Sequence, residues 1–367
     1  WTDTPLDDND FWVVQQLSAQ GLNDRRLDLV IYVNGLPLVV FEVKSPYRED
    51  VSVENAFNQL QHYIIEQPRL FQYNAFCVLS DGTETLHGVH SAAREWFKPW
   101  MSADGDTIAD DKGASIRTLI EGLFPPERLL TYIRHFIVHE KLGEGIVKKG
   151  ALYHQFFGVQ LAVSEATRAT EPDGDRKIGV VWHTQGAGKS LSMVFFVGIL
   201  RKRLGNPTIL IEVDRNDLDQ QLYDAFVAAK QIVGKVHQAD SIDDLRLRLQ
   251  TEGGEVVFTT VEKFQLKTAE QEHPRLTDRN DVIVIADEAH RTQYGFEGTI
   301  RKDEETGERF TAYGYAKYLR QALPNASFIG FTGTPIAEDD RDTTAVFGSV
   351  IHTYDITQAE KDGAIVP

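Results

Sequence analysis

The spacing of apolar and polar residues changes several times along the chain, and each change predicts an element. Leu27, Leu29, Ile31 and Val33 alternate with Asp28, Val30 and Tyr32, the period-2 signature of a strand. Asn34-Gly35 predicts a turn, and the run 38–44 predicts a second strand stopped by Ser45-Pro46. The period then lengthens: Val53, Ala56, Phe57, Leu60 and Ile64 form one stripe of a helix over about 52–65. Residues 73–80 predict another strand, turned by Asp81-Gly82, and the acidic run 101–112 predicts a loop. An amphipathic helix is expected over about 127–139 after Pro125-Pro126. A polar boundary follows at Gly143, Gly145 and Lys148-Lys149-Gly150.

The second half follows a different rhythm. A helix opens at Tyr153-His154-Gln155-Phe156-Phe157, and a polar linker spans 170–177. A buried strand, 178–182, leads through a small-residue turn into a helix, 191–200, that is apolar nearly all round. Arg201-Lys202-Arg203 complements the negative end of that helix, and Gly205 with Pro207 stops it. Further strands are predicted over 208–213, 255–260, 282–286 and 327–331, with helical patterns between them. Strands alternating with helices predict a doubly wound α/β domain on a parallel sheet, whose ligand lies beyond the carboxyl ends of the strands.

Composition narrows the class. A chain of 367 residues has room for two or three domains, and 42% hydrophobic with 25% charged residues is ordinary for a globular protein. No apolar run is long enough to span a membrane and no signal peptide opens the chain, so a membrane role is not expected. The lone Cys77 excludes an internal disulfide framework and fits a reducing cytoplasm. A net charge of −17 argues against non-specific coating of nucleic acid, while leaving room for a DNA enzyme with basic residues in one groove. The first residue is Trp1 rather than Met, so the numbering is expected to start inside a longer protein.

The turn after the strand 178–182 carries the clearest chemistry. In His183-Thr184-Gln185-Gly186-Ala187-Gly188-Lys189-Ser190, the glycines let backbone N–H groups close around phosphate oxygens. Lys189 can reach the terminal phosphates, Ser190 can hold Mg²⁺, and the following helix points its positive end at the same anion. One departure is that His183 stands where the general loop pattern has its first glycine. Asp287-Glu288-Ala289-His290 follows the strand 282–286. Asp287 is placed to hold the nucleotide's Mg²⁺, and Glu288 to orient or deprotonate the attacking water. Thr332-Gly333-Thr334-Pro335 ends the next strand.

In the first half, Asp28 lies inside an apolar strand, and Glu42 and Lys44 share one face of its partner. Two carboxylates and the backbone carbonyl of Val43 can hold Mg²⁺, a cation that prefers oxygen, and Lys44 can stabilise a phosphodiester transition state. The plainer reading is a surface hairpin with one solvated face. Charges in an apolar strand count against it, because they are costly unless used. The reading has a geometric requirement: Asp28 must pair opposite Glu42, which needs an odd-length loop or a bulge. A plain two-residue turn would point Glu42 away. Gln59 and Tyr63, one helical turn apart, are expected off the apolar stripe, where they could face a substrate.

Asp28, Glu42 and Lys44 with Gln59-x-x-x-Tyr63 resemble the restriction-endonuclease-like nuclease fold, in the variant found in RecB-type nucleases. Leu27 stands where proline often precedes the aspartate. Gly186 to Ser190, Asp287 to His290 and Thr332 to Pro335 resemble motifs I, II and III of superfamily 2 helicases. The longer strings Trp182 to Ser190, Val213-Asp214-Arg215-Asn216-Asp217-Leu218, Thr259-Thr260-Val261-Glu262-Lys263-Phe264 and Asp287 to Gly295 are more specific. With the upstream trio they resemble the motor-nuclease (restriction) subunit of type I restriction–modification enzymes, in which histidine at position 183 is a family feature.

That resemblance implies an α/β architecture. A restriction-endonuclease-like domain, a mixed sheet with flanking helices, would span 1–145, and a RecA-like doubly wound parallel-sheet domain 146–355. Residues 356–367 would start the connection to a second RecA-like domain. It also implies a translocase on double-stranded DNA driven by ATP and Mg²⁺, with a methyltransferase subunit and a DNA-specificity subunit as partners. Gln155 would recognise adenine; Gln185, Gly186, Ala187, Gly188, Lys189, Ser190 and Asp287 would hold the nucleotide; His290, Thr332, Gly333 and Thr334 would couple hydrolysis to movement. Residues 1–367 alone are expected to bind ATP weakly and hydrolyse it poorly. A DNA-repair helicase-nuclease is an alternative, as is a nucleotide-regulated scaffold with an inactive nuclease fold. The polar run from Gly295 to Tyr313 reads as a solvated loop.

Overall fold

The computed structural model describes residues 5–45, 47, 52–109, 115–143, 145–213, 216–251, 253–264, 274–289, 299–302, 309–312, 315–334 and 341–365. The chain forms two compact units, Trp1–Phe157 with Lys361–Pro367, and Gly158–Glu360.

The first unit is built on a six-stranded mixed sheet in sequential order, β1 (Phe11–Ala19), β2 (Arg25–Val33), β3 (Leu36–Val43), β4 (Phe76–Ser80), β5 (Thr85–Gly88) and β6 (Lys98–Pro99). Only β3 and β4 run parallel. Their crossover is the helix Val53–Glu66, which Ser52 caps by accepting from Asn55 N–H. This helix lays Val53, Ala56, Leu60 and Tyr63 on the sheet against Leu27, Val30, Val40 and Leu79. Tyr63 is therefore part of the buried stripe, whereas Phe57 and Ile64 are only partly buried. The stripe is rotated from the one expected, because the helix buries the face that carries Tyr63 beside Glu42.

The β2–β3 hairpin shows how the register is set. Asn34 and Gly35 both have left-handed backbone (φ 52° and 78°), the pattern of a type I′ turn. That turn pairs Val33 with Leu36 and Tyr32 with Pro37. A bulge at Leu38 then pairs Ile31 with Val39, and the shifted register runs on through Leu29 opposite Phe41. Its next step sets Asp28 opposite Glu42. Strand β1 has no clean alternation, because most of its residues are exposed, and it was not expected from the sequence.

Two further regions of this unit depart from expectation. The helix Pro126–His135 ends earlier than its apolar pattern suggests. The polar boundary after it is an antiparallel hairpin, β7 (Ile137–Leu142) with β8 (Gly145–Gly150). Trp100, Tyr132, Phe136 and Phe156 form a buried aromatic cluster, with Phe136 and Phe156 ring centroids 4.7 Å apart. Cys77 lies fully buried on β4, and burial pushes its thiol up to about 12. Thiol reagents are thus expected to leave Cys77 unlabelled in the folded protein and to modify it only on unfolding, read by peptide mass spectrometry across a urea series.

The second unit holds a seven-stranded parallel sheet of order β11-β12-β10-β13-β16-β9-β17. These are β9 (Lys177–His183), β10 (Thr208–Val213), β11 (Val236–Gln238), β12 (Val256–Thr260), β13 (Val282–Asp287), β16 (Ser327–Thr332) and β17 (Val350–Tyr354). The short outer strands β11 and β17 add to the five expected. Val180, Leu210, Val257, Val284 and Phe328 are buried in one core on this sheet. Helix Lys189–Arg203 buries Met193 through Val197 without a break, as expected for a helix apolar all round. Two strands, β14 (Thr299–Lys302) and β15 (Arg309–Ala312), form a separate hairpin inside the run expected as a loop. Among the described residues, no helix is long and apolar enough to cross a membrane.

Candidate active sites

In the first unit the carboxyl end of β3, Asp28 on β2 and helix Val53–Glu66 converge on one polar cluster. Glu42 is only 1% exposed, in the middle of a mixed sheet. Lys44 Nζ donates to Glu42 Oε1 at 2.5 Å and to Gln59 Oε1 at 2.6 Å. Gln59 Nε2 donates in turn to the Tyr63 hydroxyl, which donates to the Arg26 carbonyl at 3.3 Å. Asp28 Oδ2 accepts from Val43 N–H at 2.9 Å, and its Oδ1 accepts from Gln16 Nε2 at 3.3 Å. Glu42, Lys44, Gln59 and Tyr63 are thus linked by hydrogen bonds, and Asp28 lies beside them as a neighbouring charge, bonded to Gln16, which sequence reasoning missed.

The electrostatics of this cluster are unbalanced. Burial raises the Glu42 carboxyl above its ordinary range; Lys44 pulls it down, and the neighbouring Asp28 charge pushes it up. Burial, with the Glu42 charge adding, pushes Tyr63 up to about 12, so its hydroxyl stays neutral and able to donate. Glu42 Oε2 is buried and makes no hydrogen bond of good geometry, with the Tyr63 hydroxyl as its polar neighbour from the helix. A buried, poorly satisfied carboxylate oxygen next to a second carboxylate is a costly arrangement that a divalent cation would relieve. Among the described residues no group of three or more His, Cys, Asp or Glu side chains gathers around a point. A site here would therefore use two carboxylates and the Val43 carbonyl, a donor set that fits Mg²⁺ or Mn²⁺.

In the second unit the three chemical motifs end three adjacent strands, β13, β16 and β9. Asp287 pairs with Phe331, and Thr332 with Trp182. Gly186 and Gly188 take left-handed φ (85° and 78°), and Gly188 caps the helix that Lys189 opens. Lys189 Nζ bonds Glu288 Oε1 at 2.9 Å, and Gly333 N–H approaches Glu288 Oε2 at 3.5 Å. A Cβ at Gly333 would lie 2.7 Å from Lys189 Nζ, so this glycine lets the ammonium lie against the strand end. Thr332 Oγ1 and the Thr334 backbone bond each other at 3.1 Å in both directions, holding a tight turn. Glu288 is itself left-handed (φ 54°), an uncommon backbone state for a non-glycine residue.

The histidine in the loop has a structural explanation. His183 is fully buried, and its Nε2 shares a hydrogen bond of 2.9 Å with Nδ1 of His352 on β17. Its backbone is not left-handed, so no glycine is required there. Gln155 belongs to the first unit, is 2% exposed, and accepts from Leu152 N–H through Oε1. His290, Pro335, Asp214, Arg215 and the stretch from Arg291 to Gly295 lie outside the described residues.

A parallel α/β unit with a phosphate loop, an acidic pair and a Thr-Gly-Thr turn on adjacent strand ends is a RecA-like nucleotide-binding fold. The preceding mixed sheet carries a polar cluster of two carboxylates, a lysine, a glutamine and a tyrosine. The chain belongs to the SWI2/SNF2 ATPase family, which matches residues 154–367, and residues 2–96 match the type I restriction enzyme R protein N terminus. It is 46% identical over 374 residues to the type I restriction enzyme HindI endonuclease subunit of Haemophilus influenzae, covering 98% of this chain and 34% of that one. It is 29% identical over 367 residues to the type I restriction enzyme SauCOLORF180P endonuclease subunit of Staphylococcus aureus, covering 98% and 36%. Among solved structures, the ATP-dependent Type ISP restriction-modification enzyme LlaBIII bound to DNA aligns with 60% of this chain and 16% of its own. The TM-score is 0.40 at 16% identity. The chain spans about a third of the length of the curated relatives it matches.

Proposed function

We propose that this chain is part of a type I restriction enzyme's motor-nuclease subunit. It would move double-stranded DNA at the expense of ATP and cut it by phosphodiester hydrolysis. The observation that carries the reading is the half-buried cluster of Asp28 beside the hydrogen-bonded Glu42–Lys44–Gln59–Tyr63 chain, with Glu42 and Tyr63 fully buried, in a chain that belongs to an ATPase family. The relatives named endonuclease subunits of type I restriction enzymes support it. By the same reading, residues 1–145 carry cleavage and 146–355 carry ATP hydrolysis, and a methyltransferase subunit and a specificity subunit supply site recognition in the cytoplasm.

In the cleavage site, Asp28, Glu42 and the Val43 carbonyl would hold Mg²⁺, which when bound supplies charge neutralisation and an activated water. Lys44, held between Glu42 and Gln59, points a fixed positive charge at the phosphate undergoing attack. Gln59 and Tyr63 keep that ammonium in one orientation rather than reacting themselves. In the motor, Lys189 and the loop N–H groups bind the phosphates, Ser190 and Asp287 hold the nucleotide's Mg²⁺, and Glu288 orients water. Gln155 contacts adenine, and His290, Thr332, Gly333 and Thr334 relay the state of the site to DNA. Lys189 is ion-paired with Glu288, and the phosphates of a bound nucleotide would compete with that carboxylate for the ammonium.

Full-length protein assembled with its partner subunits tests the reading. ATP-dependent cleavage of circular DNA should require Asp28, and Asp28→Ala should leave ATP hydrolysis intact. Cleavage that survives Asp28→Ala would remove the nuclease assignment.

The raised Glu42 carboxyl gives a pH prediction. A group raised on folding stabilises the cation-free protein below its unfolded value, and that contribution is lost as pH rises through the folded value. Thermal midpoints without divalent cation should therefore fall from acid toward neutral pH by more in wild type than in Glu42→Gln. Mn²⁺ binding should strengthen over the same interval, as the proton that competes with it leaves. Melts and titrations at matched pH check both.

A further inference from the structure

Strand β1 contributes a residue to the cleavage cluster that no motif marks. Five non-glycine residues among those described have left-handed φ: Gln16, Asn34, Arg176, Asn206 and Glu288. Asn34 makes a turn, Arg176 and Asn206 precede strands in loops, and Glu288 follows the end of β13. Gln16 alone (φ 51°) lies within a strand. On either side of it the β1–β2 ladder is regular, with Gln15 opposite Leu29 and Leu17 opposite Leu27. Gln16 therefore stands opposite Asp28 and leaves the ladder at that one step. Across three neighbouring strands, Gln16, Asp28 and Glu42 occupy one row.

The consequence is local to Asp28. Its Oδ2 is held by the Val43 N–H on β3, and its Oδ1 by the Gln16 side-chain amide on β1. A carboxylate tied at both oxygens by donors on opposite sides has little freedom to rotate. The backbone donor is part of the sheet; the side-chain donor depends on Gln16 keeping a backbone state that glutamine disfavours. Strain of this kind, in mid-strand and at a chemical cluster, points to a role the fold alone does not require.

We propose that Gln16 is a positioning residue of the cleavage site, whose amide fixes the Asp28 carboxylate for divalent cation. This rests on the nuclease reading of the Asp28–Glu42 pair. Outer groups that orient a metal-binding carboxylate typically change metal affinity by 10–100-fold when removed. The effect belongs to binding rather than to the chemical step, because Gln16 donates to Asp28, a carboxylate that would hold the cation.

The test is Mn²⁺ titration of the full-length protein without nucleotide or DNA, followed by electron paramagnetic resonance. Gln16→Gly keeps the left-handed backbone without strain and removes only the amide; Gln16→Asn keeps both features with a shorter side chain. Gln16→Gly should melt no lower than wild type, bind Mn²⁺ about tenfold more weakly, and need proportionally more Mn²⁺ for half-maximal cleavage. Its cleavage rate at saturating Mn²⁺ should match wild type, and Gln16→Asn should fall between the two. Asp28→Asn serves as the reference for a lost site. If Gln16→Gly binds Mn²⁺ like wild type while Asp28→Asn does not, the positioning role is wrong and the nuclease reading stands. If Asp28→Asn also binds like wild type, the nuclease reading fails and this inference with it.

Discussion

Lys189→Ala should abolish ATP-dependent movement on DNA, lowering ATP hydrolysis by the full-length protein on the order of 10²–10³-fold. The side chain leaves the phosphate loop at the first residue of its helix, backed by left-handed Gly188. Its side chain, 13% exposed, is paired with Glu288. Removing it deletes the cation that would meet the terminal phosphates and leaves Glu288 facing them with its own charge. Both changes act against nucleotide, so affinity and turnover should fall together. The fold should survive, because the helix is anchored by Met193 to Val197 rather than by its first turn. Circular dichroism and melting should match wild type while steady-state ATPase and a triplex-displacement assay report the loss. Persistent translocation would overturn the motor assignment.

Glu288→Gln separates the two roles drawn for that residue. It removes the charge that pairs with Lys189 and keeps a side chain of similar shape. Nucleotide should bind at least as well as in wild type, because no carboxylate competes for the ammonium, while hydrolysis should fall with the loss of the group that orients water. Fluorescent-nucleotide titration alongside turnover distinguishes this from Lys189→Ala, in which binding and hydrolysis decline together.

What could be read in the sequence follows from burial. The five long inner strands of the parallel sheet are continuous apolar runs because helices cover both faces, and their carboxyl-end motifs stand out against them. β11 has three residues and is only partly buried, and β17 is exposed at its start. Neither produces a run long enough to separate from its surroundings. The β7–β8 hairpin was masked by Gly143, Gly145 and paired lysines, which favour turns but also serve an exposed two-stranded ribbon. The apolar stripe of Val53, Ala56, Phe57, Leu60 and Ile64 leaves Tyr63 to one side, where it is expected to face a substrate. The helix instead buries the ring beside Glu42 and satisfies the hydroxyl locally. The demand that Asp28 face Glu42 was legible as a register condition, but the bulge at Leu38 that meets it has no sequence mark of its own. Gln16 was invisible because its role arises from a backbone state and a cross-strand neighbour, neither of which leaves a periodic trace.

Lys44→Ala should eliminate DNA cleavage, a loss on the order of 10²–10³-fold for a single charged donor aimed at a transition state, and leave ATP hydrolysis and translocation unchanged. The Glu42 carboxylate is buried and already raised, and Lys44 is the cation that counters its burial. Without Lys44, Glu42 should rise further and retain its proton to higher pH, weakening its hold on a divalent cation. Gln59 Oε1 would lose its donor, and the Gln59–Tyr63 link would no longer orient anything at the site. Two losses are therefore superimposed, and pH separates them. Raising pH or Mn²⁺ should restore cation binding to Lys44→Ala by deprotonating Glu42, but should not restore cleavage, since the positive charge facing the phosphate is gone. Lys44→Arg keeps the charge yet cannot fit the narrow bridge between Glu42 and Gln59 unchanged, so it should bind cation normally and cleave poorly. Full recovery of cleavage in Lys44→Ala at high Mn²⁺ would mean that Lys44 serves only to tune Glu42, and that the transition state is stabilised by other groups.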